Sequence, residues 1–194
     1  LLAWLKAIVR PNGRWNNERV ILFTEYRATQ KWLYERLIAA GLDRVKVIYG
    51  GMDEKEREAI KAEFQADPAV SDVRILLATD AASEGIDLQN YCHRLLHIEI
   101  PWNPNRLEQR NGRIHRHGQQ FHPEIYHFVP QGFEERYPKG ATLESASELE
   151  ADLEFLMRAV YKIDQIREDL GSVGPVIAEQ VEAAMLGTRR SLNT

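Results

Sequence analysis

Short runs of apolar and β-branched residues recur along the chain as far as Val129: Arg19–Thr24 (RVILFT), Val45–Tyr49 (VKVIY), Val73–Thr79 (VRILLAT), Arg94–Ile100 (RLLHIEI) and Glu124–Val129 (EIYHFV). Runs this short, with little polar alternation, suit strands covered on both faces, as in a parallel sheet. The stretches between them have helical spacing. Ala28–Ala40 carries Trp32, Leu33, Leu37 and Ile38 at intervals that predict one face laid on the sheet, and Gly41 marks its C-terminal stop. Asp53–Gln65 opens on an aspartate suited to capping a helix. Strands separated by helices of this length predict βαβ units with right-handed crossovers. The expected fold class is α/β, an open parallel sheet flanked by helices.

The pattern changes after Pro130. Gln131–Ala141, with Gly132, Pro138 and Gly140, reads as a loop. Leu143–Leu170 then places Leu149, Leu153, Leu156, Val160 and Ile163 on one stripe, which predicts a long amphipathic helix. Gly171–Pro175 interrupts it, and Val176–Leu186 reads as a further helix. The expected organisation is a lobe over 1–130 and, over 131–194, a loop with helices that brace it. There is no internal repeat and no low-complexity tract.

Composition narrows the class. With 44% hydrophobic and 28% charged residues, the chain reads as an ordinary folded domain. No apolar run approaches the roughly 20 residues that span a bilayer, and no signal peptide is legible at Leu1–Val9, so no membrane partner is expected. A single cysteine, Cys92, excludes a disulfide framework and suits a reducing cytoplasm. The first residue is leucine, which leads to the expectation of a piece of a larger protein. A net charge of −4 argues against coating nucleic acid by bulk electrostatics. It leaves room for a local phosphate track, and Arg106, Arg110, Arg113 and Arg116 lie close together.

Two segments carry candidate chemistry. Gln109–Gln119 (QRNGRIHRHGQ) falls on a helix expected to begin near Asn105, with Arg113 and Arg116 three apart and hence on one face. Arginine suits the stabilisation of a transferring phosphoryl group, because its planar fork is permanently charged and bidentate. Gly112 is costly inside a helix unless something packs close to its backbone. The bland alternative is a solvated basic face. The second segment, Ala78–Gln89 (ATDAASEGIDLQ), follows a buried strand, and open α/β sheets bind ligands beyond the carboxyl ends of their strands. Thr79 and the backbone of the small residues near Gly85 can offer a hydroxyl and amides to phosphate oxygens, while Asp87 can accept from a ribose hydroxyl. The alternative there is an ordinary strand-to-helix turn capped by Asp80.

With these residues in view, 20–119 resembles the second RecA-like lobe of superfamily-two helicases. VILFTEY at 20–26 looks like motif four, ATDAASEGIDLQ like motif five and QRNGRIHRHGQ like motif six. IPWNP at 100–104, with Gln109-Arg110 following and Gly118-Gln119 closing, is most similar to the Swi/Snf-type branch, and IREDLGSVGPVIAEQ at 166–180 looks like the tail of bacterial relatives in that branch. The resemblance implies that Arg113 and Arg116 are arginine fingers, that Gln109, Gly85 and Asp87 touch the nucleotide, and that Thr79 and Gly51 contact a nucleic-acid backbone. It implies ATP as cofactor, with magnesium held by an N-terminal RecA-like partner lobe, and nucleic acid, foremost double-stranded DNA, as partner. Many Swi/Snf-type proteins carry asparagine where this chain has Asp87.

The chain has no Gly-x-x-x-x-Gly-Lys-Ser/Thr stretch. Asp53-Glu54 follows Gly50-Gly51 rather than a buried strand and reads as a helix start, not a magnesium site. The resemblance therefore implies a half-engine that does not hydrolyse ATP by itself. His115, His117, His122 and His127 fit no common zinc spacing, so no metal site is assigned. Trp102 reads as packing at a lobe edge rather than stacking on a base, and His97-Ile98-Glu99 lacks the thiols of a deaminase site. The rival function is a non-catalytic RecA-like module that docks nucleic acid or protein.

Overall fold

The computed structural model describes residues 1–80, 88–101 and 103–128. The helices read at 143–186, together with Trp102, Gly85 and Asp87, lie outside the described residues. The chain divides into two units, Leu1–Glu99 with Gln109–His127, and Ile100–Glu108 with Phe128–Thr194.

At the centre of the first unit is a five-stranded sheet of β1 (Val20–Thr24), β2 (Val45–Ile48), β3 (Ile75–Thr79), β4 (Arg94–His97) and β5 (Glu124–His127). The order across the sheet is β2-β3-β1-β4-β5, and every pairing is parallel. All five expected strands are present, each trimmed by one to three residues at its ends. β1 and β3, the most central pair, are buried at every position, as their unbroken apolar runs require. The chain leaves β1 toward β2 and leaves β4 toward β5, so the order reverses between β1 and β4.

Helices cover both faces. α3 (Glu54–Gln65) packs Ile60 and Phe64 on one face with Ile21, Phe23, Leu76, Ala78 and Leu95. On the other, α1 (Leu2–Val9) and α2 (Arg27–Ala39) bring Leu5, Val9, Leu33 and Leu37 onto Val20, Leu22, Ile75 and Leu77. The alternation along β1, Ile21 and Phe23 one way and Val20 and Leu22 the other, feeds both cores at once. The sequence pattern does not announce α1 as a helix. Its apolar run supplies Leu5 and Val9 to the core.

Local chemistry sets the helix ends. Asp53 caps α3, its Oδ1 accepting from the amides of Lys55 at 3.0 Å and Glu56 at 3.2 Å, which bears out the reading of Asp53-Glu54 as a helix start. α2 stops at Gly41, whose φ of +76° lets Leu42 N reach Leu37 O at 2.9 Å and Gly41 N reach Ile38 O at 2.9 Å. The expected apolar stripe on α2 needs correction. Leu33 and Leu37 are buried, but Trp32 is 54% exposed and Ile38 39%. Gln30 takes the third inward place, fully buried, because its amide donates to Ile48 O at 2.9 Å and Leu77 O at 2.7 Å. Satisfied in this way, a polar side chain packs where an apolar one was expected.

At the amino ends of the strands, Arg19, the residue before β1, is only 1% exposed. Its Nε donates to Val73 O at 3.1 Å, and its Nη1 to Phe64 O at 2.5 Å and Ala66 O at 2.7 Å, closing the C-terminal end of α3. Burial, and after it the neighbouring Arg74, lowers its pKa to about 10, so it remains charged at neutral pH. The buried Cys92 thiol donates to Arg19 O at 3.4 Å, and burial pushes its pKa up to about 12. Arg19→Ala takes this donor from Phe64 O and Ala66 O, while Val73 O keeps Arg74 Nη1 at 3.0 Å, and is expected to lower stability by about 2 kcal/mol. Urea unfolding checks this, with Arg19→Lys falling in between because an ammonium reaches fewer of the carbonyls.

Candidate functional site

The carboxyl ends of β1, β3 and β4 are joined by polar side chains. Glu99, two residues beyond β4, accepts from Thr24 Oγ1 at 3.1 Å through Oε1 and from the Glu25 amide at 3.2 Å through Oε2. These bonds lie where the strand order reverses, the place at which open parallel sheets receive ligands.

Arg110 is the centre of the arrangement. It lies near the end of α4 (Pro104–Asn111) and is 1% exposed. Its Nε and Nη2 grip the two oxygens of Asp80 at 2.5 and 2.8 Å, a fork-to-fork pair. Its Nη1 donates to Glu99 O at 2.8 Å and to His97 Nδ1 at 3.3 Å. The guanidinium carbon stands 5.6 Å from the centroid of the Phe23 ring. One side chain therefore holds the residue after β3, the segment after β4 and a buried ring on β1.

His97 is fully buried on β4. Arg110 can only donate to Nδ1, so Nε2 carries the proton and donates to Asn111 Oδ1 at 2.9 Å. A second ring proton would meet the guanidinium head on. Burial first, and the charge of Arg110 second, bring the His97 pKa down to about 3.

The segment bearing the two candidate arginines differs from expectation. α4 starts at Pro104, close to the anticipated Asn105, but ends at Asn111, with Gly112 immediately after it. Gly112 thus falls just past the helix, and the cost expected of it inside a helix does not arise. The chain continues in tight turns, with Arg113 N bonded to Arg110 O at 3.0 Å and Ile114 N to Asn111 O at 3.2 Å. Arg113 and Arg116 therefore do not share a helical face: Arg113 is 7% exposed, and Arg116 is exposed. Ile114 between them is fully buried in the core beside α3. Gln119 ties the turn down, donating to Ile114 O at 3.1 Å and Cys92 O at 2.9 Å. Gly118, at φ +92°, makes the last bend.

Thr79 ends β3 and is 5% exposed. Gly51 sits in an exposed turn between β2 and α3 at φ +82°, with nothing near the place a Cβ would occupy. Close by in sequence, the Arg27 guanidinium lies 3.6 Å from the centroid of the Tyr49 ring. Gln109 is exposed on α4. Leu88, immediately after the undescribed stretch, donates its amide to Arg113 O at 3.1 Å. Among the described residues, no group of His, Cys, Asp or Glu is clustered to hold a metal, and no helix is long and apolar enough to cross a membrane.

Asp80, His97, Glu99 and Asn111 do not stand out in the sequence as members of a site. One signal was available, since His97 and Glu99 interrupt the apolar run RLLHIEI at an alternating interval. A buried strand tolerates such residues only when partners wait for them.

The lobe and its segments define a class, and this chain belongs to the helicase conserved C-terminal domain family, whose model matches residues 2–118. It is similar to an uncharacterized ATP-dependent helicase, YqhH, of Bacillus subtilis strain 168, with 41% identity over 113 residues, 58% of this chain and 19% of that protein. It is also similar to the SNF2 domain-containing protein CLASSY 3 of Arabidopsis thaliana, at 30% identity over 68% of this chain and 10% of that one. The RNA polymerase-associated protein RapA of Yersinia enterocolitica matches at 29% over 66% of this chain and 14% of its own length. The chain thus spans a fifth or less of these relatives. Among solved structures, the C-terminal part of the Fun30 ATPase domain superposes with a TM-score of 0.57 at 21% identity, covering 82% of this chain and 52% of that one. The helicase C-terminal lobe read from the motifs holds, and SNF2-type proteins are among those the chain resembles.

His97 gives the site a pH dependence of known sign. The unfolded side chain takes a proton near pH 6.5 and the folded one only near pH 3, so below 6.5 the unfolded state binds more protons. This share of the stability is complete above pH 6.5 and is lost, at about 1.4 kcal/mol per pH unit, as pH falls toward 3. Urea midpoints measured between about pH 7 and about pH 5 should show the slope in the wild type, and His97→Gln should lack this component of it.

Proposed function

We propose that this chain is the second motor lobe of an ATP-dependent nucleic-acid translocase or helicase. Arg113 and Arg116 reach ATP bound on an N-terminal RecA-like lobe, and Gln109, Gly85 and Asp87 contact the nucleotide. Thr79 and the Gly51 turn meet the nucleic-acid backbone, with double-stranded DNA the expected track. The proposed boundary sets 1–130 as the lobe and 131–194 as bracing helices, in a cytoplasmic protein. The observation that supports the reading is that Arg110 and Arg113, at the start of the arginine-bearing turn, are fastened to Asp80 and Leu88, two residues within the stretch read as motif five.

ATP and its magnesium supply the phosphoryl group and the charge that polarises it. The residues present fit one half of such a site. They offer cationic side chains for the outer phosphate, held on a braced turn, and no described cluster for the metal, which the proposal assigns to the partner lobe. Two guanidiniums near a transferring phosphoryl group stabilise the charge spread over its oxygens, without covalent chemistry by the protein. Arg113 is held by the turn and nearly covered, whereas Arg116 is exposed, so the two need not act alike.

The test is made in the whole protein that contains this lobe. Arg113→Ala and Arg116→Ala should each cut nucleic-acid-stimulated ATP turnover by about 10³- to 10⁵-fold, or about 4 to 7 kcal/mol, while the fold persists. Lysine should rescue poorly, since it keeps the charge and loses the fork. Near-normal turnover in both folded variants would leave the binding-module reading in its place. The isolated chain, without a phosphate-cradling loop, should release no phosphate from ATP above background in a steady-state assay.

A further inference from the structure

The side chain of Arg110 lies outside the contacts proposed above, yet its bonds join the segments that follow β3 and β4. We propose that Arg110 is a positioning residue that couples nucleic-acid contact to ATP turnover, by locking the segment after Thr79 and the Arg113–Arg116 turn into one moving piece. The inference rests on the motor-lobe reading and adds to it the element that transmits.

Three observations support it. The first is the economy of the contact. All four bonds of Arg110 end on the carboxyl side of the sheet, two on Asp80 and one each on Glu99 O and His97 Nδ1. Asp80 directly follows Thr79, the residue proposed to meet the nucleic-acid backbone, and Arg110 stands three residues before Arg113. The second is a separate tether at the other end of the same segment, where the Leu88 amide bonds to Arg113 O at 3.1 Å. The stretch from Asp80 to Leu88 is thus fastened at both ends to the 110–113 stretch, once through side chains and once through backbone. A displacement of Asp80 cannot leave Arg113 behind without breaking one of these bonds.

The third is the choice of chemistry. A buried ion pair is a poor device for stability alone, since well-packed apolar residues of similar volume often do as well or better. What it adds is direction: a bidentate fork fixes both distance and angle. The neutral, hydrogen-bonded His97 extends that rigidity to Asn111, the last residue of α4.

The experiment uses the whole protein and measures ATP turnover with and without duplex DNA, reading the ratio of stimulated to basal rates. Asp80→Asn keeps the shape and removes the charge. The pair Asp80→Asn with Arg110→Gln removes both charges and leaves none uncompensated in the interior. Both should lower the stimulation ratio by about tenfold, a usual size for coupling between linked sites, with basal turnover little changed. The pair should be no worse than the single change, since both remove the same link. Arg110→Lys, which retains charge without the fork, should restore less than half of the lost ratio.

An unchanged ratio in the folded variants would overturn the inference, as would a parallel fall of basal and stimulated rates. If neither variant folds, the pair serves stability, and the inference is equally lost. A wild-type protein without any stimulation would defeat the motor-lobe reading instead. A dead Arg113→Ala beside a normal Asp80→Asn would defeat the coupling alone.

Discussion

A charge taken out of water must be met by a countercharge or by hydrogen-bond acceptors, or the interior cannot hold it. In this lobe that demand falls on Arg110, and its answer organises the functional edge of the sheet. Asp80 supplies the countercharge, and Glu99 O and His97 absorb the remaining donors. Because Arg110 engages Nδ1 of His97 and the neighbouring Asn111 engages Nε2, the ring is held neutral and in one tautomer. Glu99, with its backbone engaged by Arg110, turns its carboxylate to Thr24 and Glu25. The ends of three strands are gathered around one guanidinium.

The same logic runs at the amino ends of the strands with different partners. Arg19 is buried and is met by main-chain oxygens, two of them at the end of α3. There the positive charge faces the negative end of a helix dipole, a fixed arrangement that holds α3 to the sheet. Arg19 and Arg110 divide the labour: one joins a helix to the strands that support it, the other joins segments that meet ligands in the proposed motor.

Much of this is legible in the sequence because apolar runs and capping residues are local signals. The five strands, the start of α3 at Asp53 and the stop of α2 at Gly41 follow from neighbours in the chain. What is not legible depends on pairing across long separations. Gln30 has the look of a surface residue until two carbonyls from β2 and β3 come to meet it, and Trp32 has the look of core because apolar character alone does not say which side of a helix faces inward. The end of α4 is hidden for a related reason. Asn111-Gly112 is a good helix stop, but the three-residue spacing of Arg113 and Arg116 suggests continuity, and only Ile114 settling into the core shows the chain turning away. Of the site, the arginines and Thr79 are marked by the sequence, whereas Asp80 and His97 gain meaning only from Arg110.

The chain's one thiol gives this architecture a clock. Cys92 is sealed beneath the main-chain oxygens of Arg19 and Arg94, and its proton is held far above neutral pH. Thiol reagents attack the thiolate, so the folded lobe offers them almost nothing to attack. Labelling of this sulfur therefore proceeds only through moments when the sheet lets go of its neighbours, and its rate at low denaturant counts those openings. No probe need be engineered into the lobe: alkylation followed by mass measurement reads how often the core around β1 and β4 breathes, with the natural sequence intact.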